Sequence, residues 1–496
     1  MLDPFAGGSG NRKSVGAMGA AHVAQRVRLG PAERETYRRY APLALPRHTS
    51  YPTVPFWKPQ GPDEYRSALV AEVPPSGWSL YVHIPFCDQL CYFCSCTREI
   101  LPRSGGRDWR GRVRAFLRAL RSELDHVAAL VMTELPVAQL HLGGGTPNYV
   151  PPEDLVELVA SLEDRFQIAA GAERSVELDP RTCTHEHLHA LRTLGFNRVS
   201  LGIQDFDPQV QALVNRIQPI ERVAELVGAV RQLGFESINF DLIYGLPGQS
   251  LASFQRTLEA TIALRPDRIA LYRLAVLPDM FRWQRVFKAS DLPEGEVLME
   301  MFLLAVEMFA AAGYEYVGLD HFALPEDSLC RAQRSRRLRR TFQGITTGKD
   351  LSVVGLGPSA ISILHASYHQ NHKNLDAWLE AIERERLATF RGLGLSWDDL
   401  IRREVIEALY CYGAIDLERL GRRHGIDAVE YFASELKRLE LLERDGLVEV
   451  DEGLKVRLRF PLGRLLTRVV AAVFDRYLPE EAYRTGLQEL PASRVG

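Results

Sequence analysis

Short apolar runs alternate with longer amphipathic stretches between residues 78 and 365. The runs that predict strands are Trp78–Ile84, Ala138–Leu142, Ser175–Leu178, Arg198–Gly202, Ser237–Ile243, Arg268–Leu274 and Tyr314–Leu319. The stretches that predict helices are 108–131, 152–165, 184–194, 206–215, 219–233, 250–264 and 293–312. Strands that alternate with helices are typical of parallel β/α units. We therefore expect an α/β fold over residues 78–365, in which six units form an open, partial (β/α)6 barrel.

A different pattern precedes this region. Residues 1–30 are rich in Gly, Ala, Arg and Ser and nearly free of acidic residues, which predicts a disordered tail, with a weak organellar targeting peptide as the alternative. Residues 31–77 predict an N-terminal arm, with a short helix over 31–45 and then an extended stretch that contains Pro46 and Pro52. The arm either packs on the domain surface or borders an active site.

The β/α pattern stops near residue 366. A polar linker over 367–374 is followed by a predicted helix over 375–388, helices between 397 and 446, a hairpin over 447–459 and a last helix over 464–478. This order predicts a mostly helical, winged-helix-like C-terminal domain over 366–480, with a tail over 481–496. A structural cover is favoured over DNA binding, because the segment is not markedly basic.

Composition restricts the class of protein. A chain of 496 residues with 46% hydrophobic and 25% charged residues is ordinary for a globular protein of two or three domains. The net charge of −3 gives no support for a nucleic-acid partner, and no apolar run is long enough to span a membrane. Seven cysteines, mostly in one loop, are typical of a reducing cytosol. We expect a cytoplasmic monomer.

Four cysteines lie close together at Cys87, Cys91, Cys94 and Cys96. The first three have the spacing C-x3-C-x2-C, which suits three corners of a [4Fe–4S] cluster and leaves one iron open for a substrate or cofactor. A structural zinc site usually has a second C-x2-C or an H-x3–5-H pair, and none follows this loop. Zinc binding and a chance group of surface thiols are the alternatives. The remaining cysteines are isolated: Cys183, Cys330 and Cys411.

Polar residues follow the predicted strands, at the edge of a parallel sheet where chemistry usually takes place. They are His141 with Gly143–Pro147, Glu177 with Asp179, Gln204 with Asp205, Asn215 with Arg216, and Asp241 with Tyr244–Gly248. Three successive glycines allow the backbone to approach a ligand, with a tight turn as the alternative. A carboxylate at a buried strand end either binds a cofactor or forms a salt bridge, for which Arg198 is a candidate. Arg216 is a natural partner for a carboxylate.

Six of the ten residues in the run Arg331–Arg340 are arginines. A solvated helix face is the simpler interpretation. The alternative is an electrostatic funnel for a substrate with several carboxylates. The glycines and hydroxyl groups of segments 341–347 and 355–362 then provide a ligand-binding wall.

The cysteine spacing, with Phe93 before the third cysteine, resembles that of radical S-adenosylmethionine (SAM) enzymes. Within that superfamily the chain resembles the oxygen-independent coproporphyrinogen III oxidase (dehydrogenase) family from about Thr49 to Tyr477. The motifs that carry the resemblance are Thr49–Pro52, Tyr81–Pro85, the cysteine loop, Gly143–Pro147, Glu177, Gln204–Phe206, Asn215–Arg216, Asp241–Pro247, Asp320–Ala323, Phe342–Gly344 and Gly357–Ser362.

The resemblance implies that Cys87, Cys91 and Cys94 hold a [4Fe–4S] cluster whose open iron is chelated by SAM. An electron from a low-potential donor such as flavodoxin or ferredoxin cleaves SAM to a 5′-deoxyadenosyl radical. The radical removes a hydrogen atom from a propionate side chain, and loss of CO2 and one electron leaves a vinyl group. The implied reaction is the conversion of coproporphyrinogen III, a tetrapyrrole, to protoporphyrinogen IX.

The family resemblance also implies two SAM molecules per chain. The residues that would contact the first are Tyr81, Gly144, Glu177 and Ile361. Those that would contact the second are Phe93, Gly145, Thr146, Gln204, Arg216, Asp241 and Ala275. The resemblance gives catalytic roles to Cys96, which would not ligate the cluster, and to Tyr81 and His83.

The chain leaves the family pattern at two places. The family's Tyr-Ala-His-x-Pro is Leu274–Pro278 here, and its usual Asn and Tyr are replaced by Thr341 and Ile345. The alternative is therefore a paralogue with another substrate, which catalyses methyl transfer, cyclopropane formation or haem ring opening. A haem chaperone of the same superfamily is disfavoured, because the fourth cysteine and the Thr49–Pro52 arm are both present.

Overall fold

The computed structural model describes residues 29–104, 106 and 108–479. The tail predicted over 481–496 lies outside the described residues, as does that over 1–30 except for its last two positions. Leu29 is buried in the same apolar cluster as the C-terminal domain, and Gly30 precedes the first helix. Leu29 and Gly30, which were predicted to belong to the tail, are therefore part of the folded structure.

The bounds of the elements are as follows. The strands are β1 Lys58–Pro59, β2 Trp78–Ile84, β3 Phe86–Cys87, β4 Glu99–Ile100, β5 Val137–Gly144, β6 Ile168–Leu178, β7 Arg198–Gln204, β8 Ser237–Tyr244, β9 Arg268–Arg273, β10 Glu315–Gly318, β11 His321–Ala323, β12 Arg339–Thr341, β13 Gly344–Thr346, β14 Ser352–Leu356, β15 Ile361–Ile363, β16 Ser367–Asn371, β17 Thr389–Gly394, β18 Ala414–Asp416, β19 Val448–Val450 and β20 Lys455–Leu458. The α-helices are α1 Pro31–Tyr40, α2 Pro62–Ala71, α3 Trp109–Ala128, α4 Pro152–Glu163, α5 His185–Thr193, α6 Pro208–Leu213, α7 Ile220–Gln232, α8 Leu251–Leu264, α9 Gly295–Ala311, α10 Ser328–Arg334, α11 Leu375–Glu385, α12 Trp397–Tyr412, α13 Leu417–His424, α14 Ala428–Tyr431, α15 Ala433–Arg444, α16 Leu462–Leu465 and α17 Thr467–Ala472.

In the described part of the chain, thirteen strands form one sheet in the order β1-β17-β16-β15-β14-β2-β5-β6-β7-β8-β9-β11-β10. Strands β2, β5, β6, β7, β8 and β9 are parallel neighbours in chain order. Helices α3 to α8 lie between them in sequence, and the apolar faces of α3, α4, α5, α7 and α8 join the strands in one large core. The prediction of six parallel β/α units is confirmed.

The seventh predicted strand differs from the other six. It forms β10, which is antiparallel to β11, and β11 is antiparallel to β9. Only Leu319 and Asp320 separate β10 from β11, and Leu319 has a φ of 51°. A connection this short can join only antiparallel strands. The β/α repetition therefore stops after β9.

The polar linker predicted over 367–374 is wrong. Residues 367–371 form β16, which pairs with β15 and β17 within the main sheet. Four of its five side chains are buried although they are polar, and hydrogen bonds satisfy them: Gln370 donates to Ser359 O and Asn371 donates to Gly357 O. The predicted boundary at 365/366 thus separates two paired strands. We propose that the catalytic domain extends through β17 and that the C-terminal domain begins at residue 395.

The C-terminal part contains α12, α13 and α15 with a small sheet in the order β18-β20-β19. The predicted winged-helix-like arrangement and its hairpin are confirmed.

Two predicted helices are shorter than expected. The helix predicted over 464–478 is interrupted at Leu466 and forms α16 and α17. The helix predicted over 31–45 ends at Tyr40, because Pro42 follows directly after its C-cap. None of the described helices has the length and apolar character needed to cross a bilayer.

Candidate active site

A cavity of about 540 Å³ lies along the inner face of the parallel strands. Alternate residues of each strand point into it, as the period of two residues requires. These residues are polar where a packed core would have Val or Leu. The clearest examples are Ser175 and Glu177 on β6, Asn239 and Asp241 on β8, and Arg268 and Tyr272 on β9.

All four clustered cysteines line this cavity. Their loop follows β2 and is held by the segment after β7, because Asn215 Nδ2 donates to Leu90 O at 2.7 Å and Tyr92 N donates to Val214 O at 3.0 Å. Cys94 N donates to Cys91 O at 3.1 Å, which tightens the loop. The sequence motif Asn215–Arg216 therefore has a direct role in fixing the cysteines.

The surroundings of the thiols fit an anionic cluster. Cys87 Sγ is 3.3 Å from Thr146 Oγ1, and Cys91 Sγ is 3.5 Å from guanidinium nitrogens of both Arg181 and Arg216. Donors of this kind stabilise the negative charge of thiolate ligands. The three thiols and the donors around them therefore fit the thiolate ligands of a [4Fe–4S] cluster.

The glycine loop lies against the start of the cysteine loop. Gly144 has a φ of 123°, and a Cβ atom there would lie 2.7 Å from Ile84 O. A Cβ atom on Gly145 would lie 2.6 Å from Pro85 O. Both positions therefore require glycine, because the ends of β2 and β5 approach too closely for a side chain.

Glu177 faces the glycine loop from β6. Its Oε2 accepts a hydrogen bond from Gly144 N at 3.1 Å, and its Oε1 lies 3.2 Å from His141 Nε2. Burial raises the pKa of Glu177, but the interactions with His141 and Gly144 outweigh it and lower this pKa overall. The predicted alternative, a salt bridge to Arg198, is wrong. Arg198 pairs with Glu173 at 3.0 Å, because the strand register places Arg198 beside Ser175, two residues before Glu177.

Asp179 lies between two arginines at the end of β6. Its Oδ2 is 2.7 Å from Arg181 Nη2 and 3.4 Å from Arg216 Nη1. Burial opposes ionisation, but the guanidinium groups of Arg216 and Arg181 lower the pKa of Asp179 to about 2. The expectation that Arg216 pairs with a carboxylate is met here. Arg181 was missed, although its position two residues after Asp179 at the same strand end is a usable signal.

Asp241 accepts hydrogen bonds from neutral donors. Ser200 Oγ donates to it at 2.9 Å and Asn239 Nδ2 at 3.0 Å. Burial, and then the charge of Glu177, raise the pKa of Asp241 to about 6. The two cavity carboxylates Asp179 and Asp241 therefore differ in charge state under mildly acidic conditions.

Three predicted residues, Tyr81, His83 and Ile361, are not among the described residues that line the cavity. Tyr81 OH is 3.0 Å from His83 Nδ1, and the Tyr81 ring stacks on His141, which does line it. Ile361 packs in an apolar cluster with Tyr81. The three side chains lie behind the wall of the cavity, and their contact with a cofactor stays a prediction.

The other predicted residues share the cavity. They are Cys87, Cys91, Cys94, Cys96, Phe93, Gly144, Gly145, Thr146, Glu177, Gln204, Arg216, Asp241 and Ala275. The fold therefore brings together residues that span almost 190 positions of the sequence, from Cys87 to Ala275.

A short 3-10 helix, Arg282–Val286, fastens the segment after β9 to the cysteine loop. Gln284 Nε2 donates to Ala275 O at 3.0 Å and to Phe93 O at 3.3 Å, while Trp283 Nε1 donates to Cys94 O at 3.0 Å. No signal in the sequence pointed to these residues. Trp283 and Gln284 thereby connect the segment 274–278, which departs from the family pattern, to the cysteine loop.

The arginine run divides into two parts. Arg331, Arg334, Arg336 and Arg337 are exposed, whereas Arg339 and Arg340 are buried on β12. Arg334 pairs with Glu315 at 3.2 Å. The solvated-face interpretation therefore fits the first part, and only the last two arginines belong to the interior.

Two family models match the chain. The model for the radical SAM superfamily matches residues 81–261, which include the cysteine loop and the strand ends described above. The model for the HemN C-terminal domain matches residues 395–459, the winged-helix-like part. The parallel sheet, the cysteine loop and the first match together define a radical SAM enzyme, a class that uses a [4Fe–4S] cluster and SAM.

Relatives of similar length narrow the assignment. The oxygen-independent coproporphyrinogen III oxidase of Escherichia coli K12 is 42% identical over 88% of this chain and 94% of its own. That of Pseudomonas aeruginosa is 42% identical over 90% and 96%. The solved structure of coproporphyrinogen III oxidase (HemN) from Escherichia coli, a radical SAM enzyme, has a TM-score of 0.84 at 39% identity and covers 92% of this chain and 100% of that one. The chain belongs to the oxygen-independent coproporphyrinogen III oxidase family.

Proposed function

We propose that this enzyme converts coproporphyrinogen III to protoporphyrinogen IX without oxygen, by oxidative decarboxylation of two propionate side chains to vinyl groups. The observation that carries the proposal is a cavity that combines the cysteine loop with a wall rich in guanidinium groups. Its arginines are Arg47, Arg98, Arg181, Arg198, Arg216, Arg268 and Arg273. These arginines outnumber the four carboxylates that line the same cavity, Glu173, Glu177, Asp179 and Asp241. The surplus of positive charge matches a substrate that bears several carboxylates.

In this proposal Cys87, Cys91 and Cys94 hold the cluster, and Gly144 and Glu177 offer backbone and carboxylate partners to the amino group of SAM. When bound, the cluster and SAM supply a radical that abstracts hydrogen from the propionate. The chain's own residues bind and orient the reactants and exclude water. Glu177 is suited to a cationic amino group, because its environment keeps its pKa low.

We further propose that two SAM molecules bind per chain. All seven residues assigned to the second molecule line the cavity, and of the four assigned to the first, Gly144 and Glu177 do. Cys96, Tyr81 and His83 are proposed to assist catalysis, and a flavodoxin or ferredoxin is proposed as electron donor. Equilibrium dialysis of the reconstituted protein with labelled SAM should give about two per cluster, and a value of about one would contradict the second site.

The test of the reaction is anaerobic turnover. Reconstituted protein with SAM, a reductant and coproporphyrinogen III should yield protoporphyrinogen IX and 5′-deoxyadenosine. Cleavage of SAM without a vinyl product would favour a paralogue with another substrate. Leu274 and Ile345, which differ from the family pattern, and Ala275 beside them line the cavity, where they could change the choice of substrate. Haem binding without SAM cleavage would indicate the chaperone.

A further inference from the structure

We propose that Arg340, Arg47 and His321 form a carboxylate-binding subsite beneath the N-terminal arm, which receives one propionate of the substrate. This inference rests on the proposed function and specifies where the substrate's charge is recognised. It concerns the side of the cavity formed by β11, the hairpin β12–β13 and the arm.

Arg340 carries the argument, because it is a buried cation whose hydrogen-bonding capacity is largely unused. Its exposed fraction is 4%. Its Nε and Nη1 atoms have no hydrogen-bond partner among the described residues, and its Nη2 donates only a long bond, 3.4 Å, to Arg47 O. Leaving a buried charge without an anion is strongly unfavourable. A ligand carboxylate could accept from one of these free donors together with the second N–H of Nη2, in the plane of the guanidinium group.

Arg340 lies directly behind the lining of the cavity. Its positive charge acts on His321 and Tyr272, and both of these side chains line the cavity. Ile345, the residue paired with Arg340 across the hairpin, lines it as well. On the other side the guanidinium group lies 5.6 Å from the centre of the Tyr410 ring, which belongs to α12. Tyr410 thus supports the arginine from behind.

Arg47 and His321 complete the subsite, and both line the cavity. Arg47 is already paired with Asp320, so that one of the two guanidinium charges is balanced and one remains. This remaining charge matches a single carboxylate. His321 is neutral, because burial and then the nearby Arg340 and Arg47 hold its pKa well below the usual value. Its Nδ1 has no hydrogen-bond partner among the described residues and can provide a further donor in the matching tautomer.

The C-terminal domain fixes the arm that presents Arg47. The neighbouring His48 is buried, with Nε2 3.0 Å from Asp475 and Nδ1 3.2 Å from Tyr410 OH. The same tyrosine therefore contacts both the arm and Arg340. The subsite exists only when the arm, the hairpin and α12 are packed together.

The test measures binding of coproporphyrin III, the stable oxidised form of the substrate, to reconstituted protein by fluorescence under anaerobic conditions. Arg340→Gln should raise the Kd about tenfold or more, which corresponds to one charge-assisted contact. The matched control is Arg337→Gln, which removes an exposed charge from the same run and should leave the Kd unchanged. Equal Kd values for the two variants would overturn the subsite.

A second probe identifies the recognised group. The tetra-amide of coproporphyrin III lacks carboxylates, so Arg340→Gln should not change its affinity further. A loss of tetra-amide affinity equal to that for the acid would show a packing effect and overturn the proposal. Should Arg340→Gln fail to fold, Arg47→Gln replaces it with the same expectations.

The two proposals fail in different ways. If the wild-type enzyme converts coproporphyrinogen III but Arg340→Gln binds the acid normally, only the subsite is lost. A wild type that neither binds nor converts the tetrapyrrole would overturn the proposed function, and the subsite with it.

Discussion

The cavity has two sides that differ in how they are built. On the cysteine side, which comprises the cysteine loop and the ends of β5 to β7, polar groups contact each other: Asp179 has two arginines, and Glu177 has His141 and Gly144 N. On the arm side, which comprises Arg47, Arg340 and His321, donors remain without acceptors in the described part of the chain. The charges of the first side are thus paired within the protein, whereas on the second side the charge of Arg340 is left for a ligand.

The difference follows from chain connectivity. The cysteine side comes from consecutive parallel strands, whose carboxyl ends are adjacent in any sheet of this topology. The arm side joins segments near residues 47, 321, 340 and 410, which meet only after the C-terminal domain has packed. It should therefore be possible to damage one side without the other.

The largest expected effect is on the cysteine side. Cys94→Ala should abolish the broad visible absorbance of the cluster and lower iron from about four per chain to near zero, because three thiolates are needed to hold it. Cys96→Ala is the matched control and should keep the iron while turnover slows. Loss of iron in the Cys96 variant, or a normal spectrum in the Cys94 variant, would contradict the assigned ligands.

Removal of the carboxylate between two arginines should be the next largest effect. Asp179→Asn leaves Arg181 and Arg216 without their anion and should lower the free energy of unfolding by about 3 kcal/mol. Urea denaturation measures the change. The double variant Asp179→Asn/Arg181→Gln should recover part of it, because one uncompensated charge is removed. Additive losses would show that the three groups are not coupled.

Substitution of His48 should weaken the arm side. His48→Ala removes buried hydrogen bonds to Asp475 and Tyr410 and should cost about 2 kcal/mol of stability. Coproporphyrin III affinity should fall as Arg47 loses its position, whereas the affinity for SAM should not change. His48→Gln retains a donor towards Asp475 and should lose less. An equal loss of SAM and porphyrin affinity would show that the two sides are not independent.

The smallest predicted effect concerns Glu123, a residue of α3 that lies away from both sides of the cavity and binds the segment after β14 and the end of β16. Glu123 is 1% exposed and accepts hydrogen bonds from Gly357 N at 2.7 Å and Asn371 Nδ2 at 2.6 Å. Burial raises its pKa to about 7. The folded state then holds the proton at a pH where the unfolded state has released it, so this contribution to stability is lost as pH rises through 7.

Between pH 6 and pH 8 the loss should be about 1 kcal/mol in the wild type. Glu123→Gln cannot ionise and should lack this component. Unfolding at pH 6, 7 and 8 provides the measurement, with Glu153→Gln, an exposed carboxylate on α4, as the control. If wild type and Glu123→Gln have the same pH dependence, Glu123 does not titrate in this range.

The sequence by itself determined the local elements and the cysteine side. The alternation of strands and helices fixes the order of β2 to β9, and a parallel sheet then brings Glu177, Gln204 and Asp241 to one edge. The prediction from sequence was wrong where polar residues are buried. Residues 367–371 are polar enough for a linker, yet they form an interior strand of the sheet, because Glu123 and Gly357 O bind the side chain of Asn371.

Only the tertiary structure determined that Arg47, His321 and Arg340 lie together on the arm side. Nothing in the run Arg331–Arg340 distinguishes Arg340 from its exposed neighbours, and the short spacing of the run favoured a solvated face for all of them. The role of Gln284, whose side chain connects Ala275 with the cysteine loop, could not be predicted from the sequence either. Periodicity reports which face of an element is buried, but contacts between segments hundreds of residues apart depend on how whole domains pack. That packing determines which buried charges find a partner and which remain available to a ligand.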